Sequence, residues 1–258
     1  MLSTNIKFGN FTDLLIGLTE KELRTRYKFT VLGFFWIALN PILQMLIIGF
    51  VFTFFIRNPI ENYYYYLFIG LLVWNFFSLS LTRATQSIVW ERTLIKKAAF
   101  PKVVIPLSIV LSNLFHLIIA MTIFAIPVSF LGTISFEGII YIFLAFLLLL
   151  TFTIGASLLT SALNVRYRDI NFFVQALIMI WFYATPIIYT LSMIPYKFYW
   201  LWRLNPMTSI LQLLQHGFLN QPLPGIGMFT INLVIIAAVF TLGIIIFNKE
   251  GNNFDDWI

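Results

Sequence analysis

Long stretches without a charged side chain alternate with short polar connections along this sequence, and that spacing sets the first expectation. Residues 30–56 and 63–82 contain no Asp, Glu, Lys or Arg, and 103–131, 141–164, 172–190 and 228–247 are further apolar runs. A helix rising about 1.5 Å per residue needs about 20 apolar residues to cross a hydrocarbon core of about 30 Å. The pattern therefore predicts an all-α polytopic membrane protein with six transmembrane helices. Residues 1–28 form a cytoplasmic N-terminal segment, 29–248 the transmembrane domain and 249–258 a cytoplasmic tail.

Two segments depart from simple spanning. Residues 199–218 are apolar except for Arg203 and His216, and Asn205-Pro206 interrupts them. Proline removes a backbone donor and breaks a helix, so two short re-entrant helices are expected between the fifth and sixth spans. Broken backbone at membrane depth must be covered by protein or line a wet cavity. Trp202, Asn205, Pro206 and Met207 are accordingly read as an outer gate. Residues 10–27 precede the first span and read as a helix, with Asn10 placed to cap it and Asp13 in the favourable first turn. Phe11, Leu14, Leu15 and Leu18 share one face, whereas Leu23 and Tyr27 fall off that stripe. An interfacial helix on the cytoplasmic leaflet is expected, with Arg26 and Tyr27 where the chain passes into the membrane.

Composition agrees with the pattern. The chain is 60% hydrophobic and only 10% charged, against about half and about a quarter for soluble domains. Asn10, Asp13, Glu20, Lys21 and Glu22 before the first apolar run do not form the basic, apolar, small-residue order of a cleaved signal peptide. The net charge of +6 is explained by orientation in a bilayer rather than by nucleic acid. With the N-terminus inside, thirteen of the sixteen lysines and arginines fall on the cytoplasmic side, and only Arg57, Lys197 and Arg203 fall outside. Both termini are thus expected in the cytoplasm, with Glu61, Glu137 and Lys197 facing out.

The chemistry that is missing narrows the function. There is no cysteine, so disulfides and thiolate metal sites are excluded, and no metal site is expected. The predicted spans hold one ionisable imidazole, His116, and a proton relay needs a second titrating group near it; none is close in sequence. A G-x-x-x-x-G-K-[ST] loop is absent, so ATP cannot be hydrolysed here by the P-loop route. Outside, the carboxylates Glu61 and Glu137 sit in separate short loops, and inside, Asp169 has no acid beside it. No catalytic residue is assigned: an enzyme is possible but lacks candidates.

Four stretches in order then carry a resemblance. Arg26-Tyr27-Lys28, Thr30, Leu32-Gly33, Trp36, Leu39 and Pro41 resemble the R-Y-x-x-[ST]-x-L-G-x-x-W-x-x-L-x-P approach to the first span of polysaccharide-exporting ABC permeases. Residues Leu163-Asn164-Val165-Arg166-Tyr167-Arg168-Asp169-Ile170 are similar to the N-V-x-x-R-D loop after that family's fourth span. Thr185-Pro186-Ile187-Ile188-Tyr189 and Leu204-Asn205-Pro206-Met207 resemble its P-I-x-Y and N-P-M elements. The resemblance implies a multi-pass permease of the bacterial cytoplasmic membrane that pairs with itself and with two copies of an ATPase subunit. That partner would bind ATP and Mg, leaving this chain without a cofactor. The implied cargo is a lipid-linked glycan of the O-antigen, capsule or teichoic acid type. The competing readings are an ABC export permease for another lipid or a drug, and a membrane enzyme acting on lipid-linked glycans.

The same resemblance makes the connections at 90–97 and 166–169 coupling elements that dock in the ATPase. Glu91, Arg92, Arg166, Arg168 and Asp169 are the candidates, because acids are not needed for orientation and opposite charges can make specific charge-assisted contacts. Trp36 is a headgroup anchor or a path-lining residue, and Asn40-Pro41 is expected to kink the first span. Tyr63 to Tyr66 read as an interfacial aromatic belt or as surfaces for sugar stacking. Tyr183 and Tyr189 are candidates for cargo contact on the fifth span. Six steps of about 100° set them about 120° apart on a helix, so only one of the pair should face the path.

Overall fold

The computed structural model describes residues 11–28, 33–55, 60–251 and 253–257. Its regular elements are α1 (Phe11–Tyr27), α2 (Trp36–Phe55), α3 (Tyr63–Trp90), α4 (Arg92–Lys97), α5 (Val104–Ser129), α6 (Phe136–Arg166), α7 (Asp169–Tyr183), α8 (Tyr199–Arg203), α9 (Pro206–Leu219), α10 (Ile226–Gly251) and α11 (Phe254–Trp257). Short 3-10 turns occur at Gly33–Phe35, Leu191–Met193 and Tyr196–Phe198, and no strand occurs among the described residues.

Five helices, α2, α3, α5, α6 and α10, are long and apolar enough to cross a bilayer. The fifth expected span is different. The run 172–190 is not one helix: α7 has 15 residues and stops at Tyr183, which at about 1.5 Å per residue gives roughly 22 Å. Pro186 explains the stop, because a residue before proline is pushed out of the helical region and proline itself donates nothing. The carbonyls released beyond the helix are taken up from elsewhere in the chain. Asn205 Nδ2 donates to the Ala184 carbonyl at 3.0 Å, and the Tyr63 hydroxyl donates to that of Ile188 at 3.1 Å. The Tyr66 hydroxyl lies 3.0 Å from the Pro186 carbonyl and 2.9 Å from that of Tyr189, so its single proton is shared. Unpaired backbone groups are costly away from water, and here protein covers them.

Tyr66 is 3% exposed, which removes it from the roles of belt or sugar platform expected for residues 63–66. Only Tyr64 of that group is exposed. The break at Asn205-Pro206 is present as expected, and α8 and α9 are separate short helices rather than one span. Asn205 caps α9 by accepting from the Met207 N–H at 3.1 Å, with Pro206 at the first helical position, where its missing donor costs nothing.

Helix α3 is the axis of the bundle. In its most apolar stretch 72% of residues are buried, against 11% in α2, so α2 stands at the edge. Around α3 pack α5, α6 and α9 in the main apolar cluster, which includes Leu67, Phe77, Leu149, Ile187, Met207 and Leu214. A second cluster lies toward the Trp90 end of α3 and joins Leu14 of α1, Ile95 of α4, Val104 of α5, Val165 of α6 and Phe254 of α11. The N-terminal helix is therefore packed on the bundle through Leu14, while Phe11 and Ile16 remain exposed. Its expected cap, Asn10, and the motif residues Thr30 and Leu32 lie outside the described residues. Helices α6 and α10 cross where Gly155 meets Gly243: a Cβ on Gly243 would fall 2.2 Å from the Gly155 carbonyl oxygen. Small residues allow such close backbone approach between membrane helices.

Candidate transport cavity and coupling corners

The polar residues of the spans are spaced as the helix repeats. Trp36, Asn40 and Gln44 recur every fourth position on α2; Asn75, Ser78 and Thr82 follow at steps of three and four on α3; Asn113 and His116 are three apart on α5. Each set occupies one helix face, and all of them line one cavity of about 610 Å³, together with Arg26 from the end of α1 and apolar groups including Leu72, Phe76 and Leu117. The α3 residues involved run from Leu72 to Thr82, so the cavity lies beside the middle of that helix. Pro41 lies within α2, as expected, and belongs to the lining.

Amide and hydroxyl contacts hold the walls together. Asn75 Nδ2 donates to Gln44 Oε1 at 3.0 Å, joining α3 to the edge helix α2. Asn113 Nδ2 donates to Ser80 Oγ at 3.1 Å, joining α5 to α3. The Arg26 guanidinium reaches both members of the α5 pair, with Nη2 2.6 Å from Asn113 Oδ1 and Nη1 2.5 Å from His116 Nδ1. A guanidinium only donates, so Nδ1 accepts and the ring proton sits on Nε2. His116 thus has a charged neighbour that its own sequence surroundings do not show. Among the described residues the lining holds amides, hydroxyls, an imidazole and a guanidinium, and no carboxylate.

Of the residues expected along the path, Trp36 lines this cavity and is exposed. Tyr183 and Tyr189 do not line it, and the helical spacing argued for them does not hold, because α7 ends at Tyr183. They meet directly instead: the Tyr189 hydroxyl donates to the Tyr183 carbonyl at 2.6 Å and accepts from Trp202 Nε1 at 2.9 Å.

The four gate candidates fall into distinct places. Trp202 is the half-buried partner of Tyr189. Pro206 and Met207 are buried in the core. Asn205 is the latch. Its amide donates to Ala184 O and Thr185 Oγ1, both at 3.0 Å, and its oxygen accepts from Met207 N and from Trp181 Nε1 at 2.9 Å. An asparagine side chain has two donor and two acceptor positions, and here all four are occupied.

The candidate coupling residues gather at two corners. At the α3–α4 corner, Glu91 is engaged by α1: Lys21 Nζ lies 2.6 Å from Glu91 Oε1. One residue on, Glu22 Oε2 lies 2.9 Å from Arg83 Nη2, and Arg24 pairs with Glu20 on the exposed side of α1. Arg92 opens α4 and is exposed. At the α6–α7 corner, the Arg166 guanidinium lies over the Tyr167 ring at 5.1 Å and over that of Trp257 at 5.4 Å. Arg168 and Asp169 are both exposed, with Asp169 in the first turn of α7, where a negative charge is favoured. Tyr27 closes α1, and its side chain lies outside the described residues. Among the described residues no cluster of His, Asp or Glu could hold a metal ion.

The sequence is similar over nearly its whole length to two Klebsiella pneumoniae proteins, each named O-antigen export system permease protein RfbA. One is 36% identical over 260 residues and the other 35% identical over 265, each alignment covering 98% of both chains. A Myxococcus xanthus protein of the same name is 34% identical over 216 residues, 83% of each chain. The family described as ABC-2 type transporter matches residues 13–219, which takes in most of α1, the cavity, both corners and the Asn205 latch. The chain belongs to the ABC-2 type transporter family.

Proposed function

We propose that this chain is the permease subunit of an ATP-driven exporter that moves a lipid-linked polysaccharide across the bacterial cytoplasmic membrane. The observation that carries this reading is the cavity. Its walls are rich in neutral hydrogen-bonding groups set among apolar side chains, which suits a hydroxyl-rich chain that must be held weakly and released. Relatives named for O-antigen export point to the same cargo class. In this reading α7 and the bent segment after it complete a sixth crossing, both termini are cytoplasmic, and two copies of the chain work with two ATPase subunits. Glu91, Arg92, Arg166, Arg168 and Asp169 lie at the corners that meet those subunits, and ATP with Mg is bound there rather than in this chain.

The test is reconstitution of the permease with its cognate ATPase in liposomes carrying a lipid-linked glycan, followed by lectin access to the translocated sugar. Export that requires both chains and ATP is the expected outcome. Asp169→Lys should lower export and stimulated ATP hydrolysis while leaving the permease inserted. Hydrolysis of ATP by the purified permease alone, or export indifferent to ATP, would overturn the reading.

A further inference from the structure

The last residues of the described chain are tied to the α6–α7 corner. Helix α10 ends at Gly251, and the Gly251 carbonyl accepts from Lys102 Nζ at 3.1 Å. The same ammonium lies 5.9 Å from the centre of the Phe254 ring. Phe254 is fully buried and meets Phe247 edge to face at 5.3 Å. It enters the apolar cluster that also contains Ile95 of α4 and Val165 of α6, so it shares one core with residues of both corners. Three positions further, Trp257 reaches Arg166, whose guanidinium is 5.4 Å from the Trp257 ring and 5.1 Å from that of Tyr167.

We infer that α11 is a positioning element of the coupling surface: Phe254 anchors the tail, and Trp257 holds the Arg166 guanidinium for a carboxylate of the ATPase subunit. Arginine carries a long side chain with many rotamers, and its planar fork binds carboxylates best when it is preorganised. Contact with aromatic rings restricts that freedom without consuming the charge. Arg166 itself is exposed, so the orientation that Trp257 imposes is presented outward. The inference rests on the proposed ATPase partnership and adds to it a part of the chain with no role so far.

The experiment titrates the full-length permease in nanodiscs with the cognate ATPase subunit and follows stimulated ATP hydrolysis. Trp257→Ala is the main variant, because Trp257 is half-buried and lies at the margin of the cluster. Loss of a cation–ring contact of ordinary strength should raise the ATPase concentration for half-maximal stimulation about three- to fivefold, with the melting temperature of the permease unchanged. Trp257→Phe, which keeps a ring, should restore the wild-type titration. A Trp257→Ala permease that titrates like the wild type overturns the inference while leaving the partnership intact. A lowered melting temperature without rescue by Trp257→Phe also overturns it, making the tail a stability element. No stimulation even with the wild-type chain overturns the partnership and the inference together.

Discussion

Asn205 donates to the carbonyl of Ala184, twenty-one positions earlier in the chain, at 3.0 Å. That bond joins the end of the helix that stops short to the start of the helix that follows the break. Asn205→Ala removes it along with three others and leaves Trp181 Nε1 and the Met207 N–H without their acceptor. Orphaned buried groups cost about 1–3 kcal/mol each when nothing replaces the partner. A loss of roughly 3 kcal/mol is expected, lowering the melting temperature of the purified permease by roughly 5–10 °C. An unchanged melting curve would mean that this latch is not what holds the break.

Tyr66 offers a cleaner subtraction, since Tyr66→Phe deletes the hydroxyl shared by the Pro186 and Tyr189 carbonyls and keeps the ring in the core. The expected cost is about 1–2 kcal/mol. Tyr64→Phe, altered in the exposed ring of the same cluster, should leave thermal stability within about 0.5 kcal/mol of the wild type. Equal effects at the two positions would return these tyrosines to a common belt role.

The Lys21–Glu91 pair links α1 to the α3–α4 corner. Both side chains reach solvent, so a double-mutant cycle should yield less than about 1 kcal/mol of stability. Function should be more sensitive: Lys21→Glu and Glu91→Lys each lower export, and the double reversal recovers it. Failure of the swap to recover export, with normal insertion, would assign Glu91 to a contact other than Lys21.

At the α6–α10 crossing, Gly243→Ala places a methyl group 2.2 Å from a backbone oxygen rather than against a flexible side chain. The backbones must move apart, and overpacking of this kind costs about 1–3 kcal/mol. Gly251→Ala, where a Cβ would meet nothing within 4 Å, is the matched control. Two indistinguishable melting temperatures would show that the crossing can widen without penalty.

Much of this architecture was legible because the length of an apolar run is a local property. Five of the expected spans match helices, and the Asn205-Pro206 break is where proline chemistry puts it. The short α7 carried a local signal, Pro186, which the length of the apolar run around it masked; what no local pattern shows is that the carbonyls beyond the stop are satisfied by Asn205 and by Tyr63 and Tyr66, the latter two more than a hundred positions away. His116 read as isolated for the same reason: its charged neighbour Arg26 stands ninety positions earlier. Part of the cavity could have been found, since Asn75, Ser78 and Thr82 repeat with helical spacing inside an otherwise apolar run. What the spacing lacked was the knowledge that α2 and α5 present their own polar faces to the same space.

The main-chain carbonyls of the bend after α7 are largely engaged inside the protein. The carbonyls of Tyr183, Ala184, Thr185, Ile188 and Thr190 each accept from within the protein, and those of Pro186 and Tyr189 share the Tyr66 hydroxyl. On the proposed function, a glycan passing here would meet carbonyls with part of their hydrogen-bonding capacity already used, which shifts the weight of its contacts to side chains. On that proposal the bend works as a low-friction lip, and altering the amides of the cavity is expected to change how strongly cargo is retained.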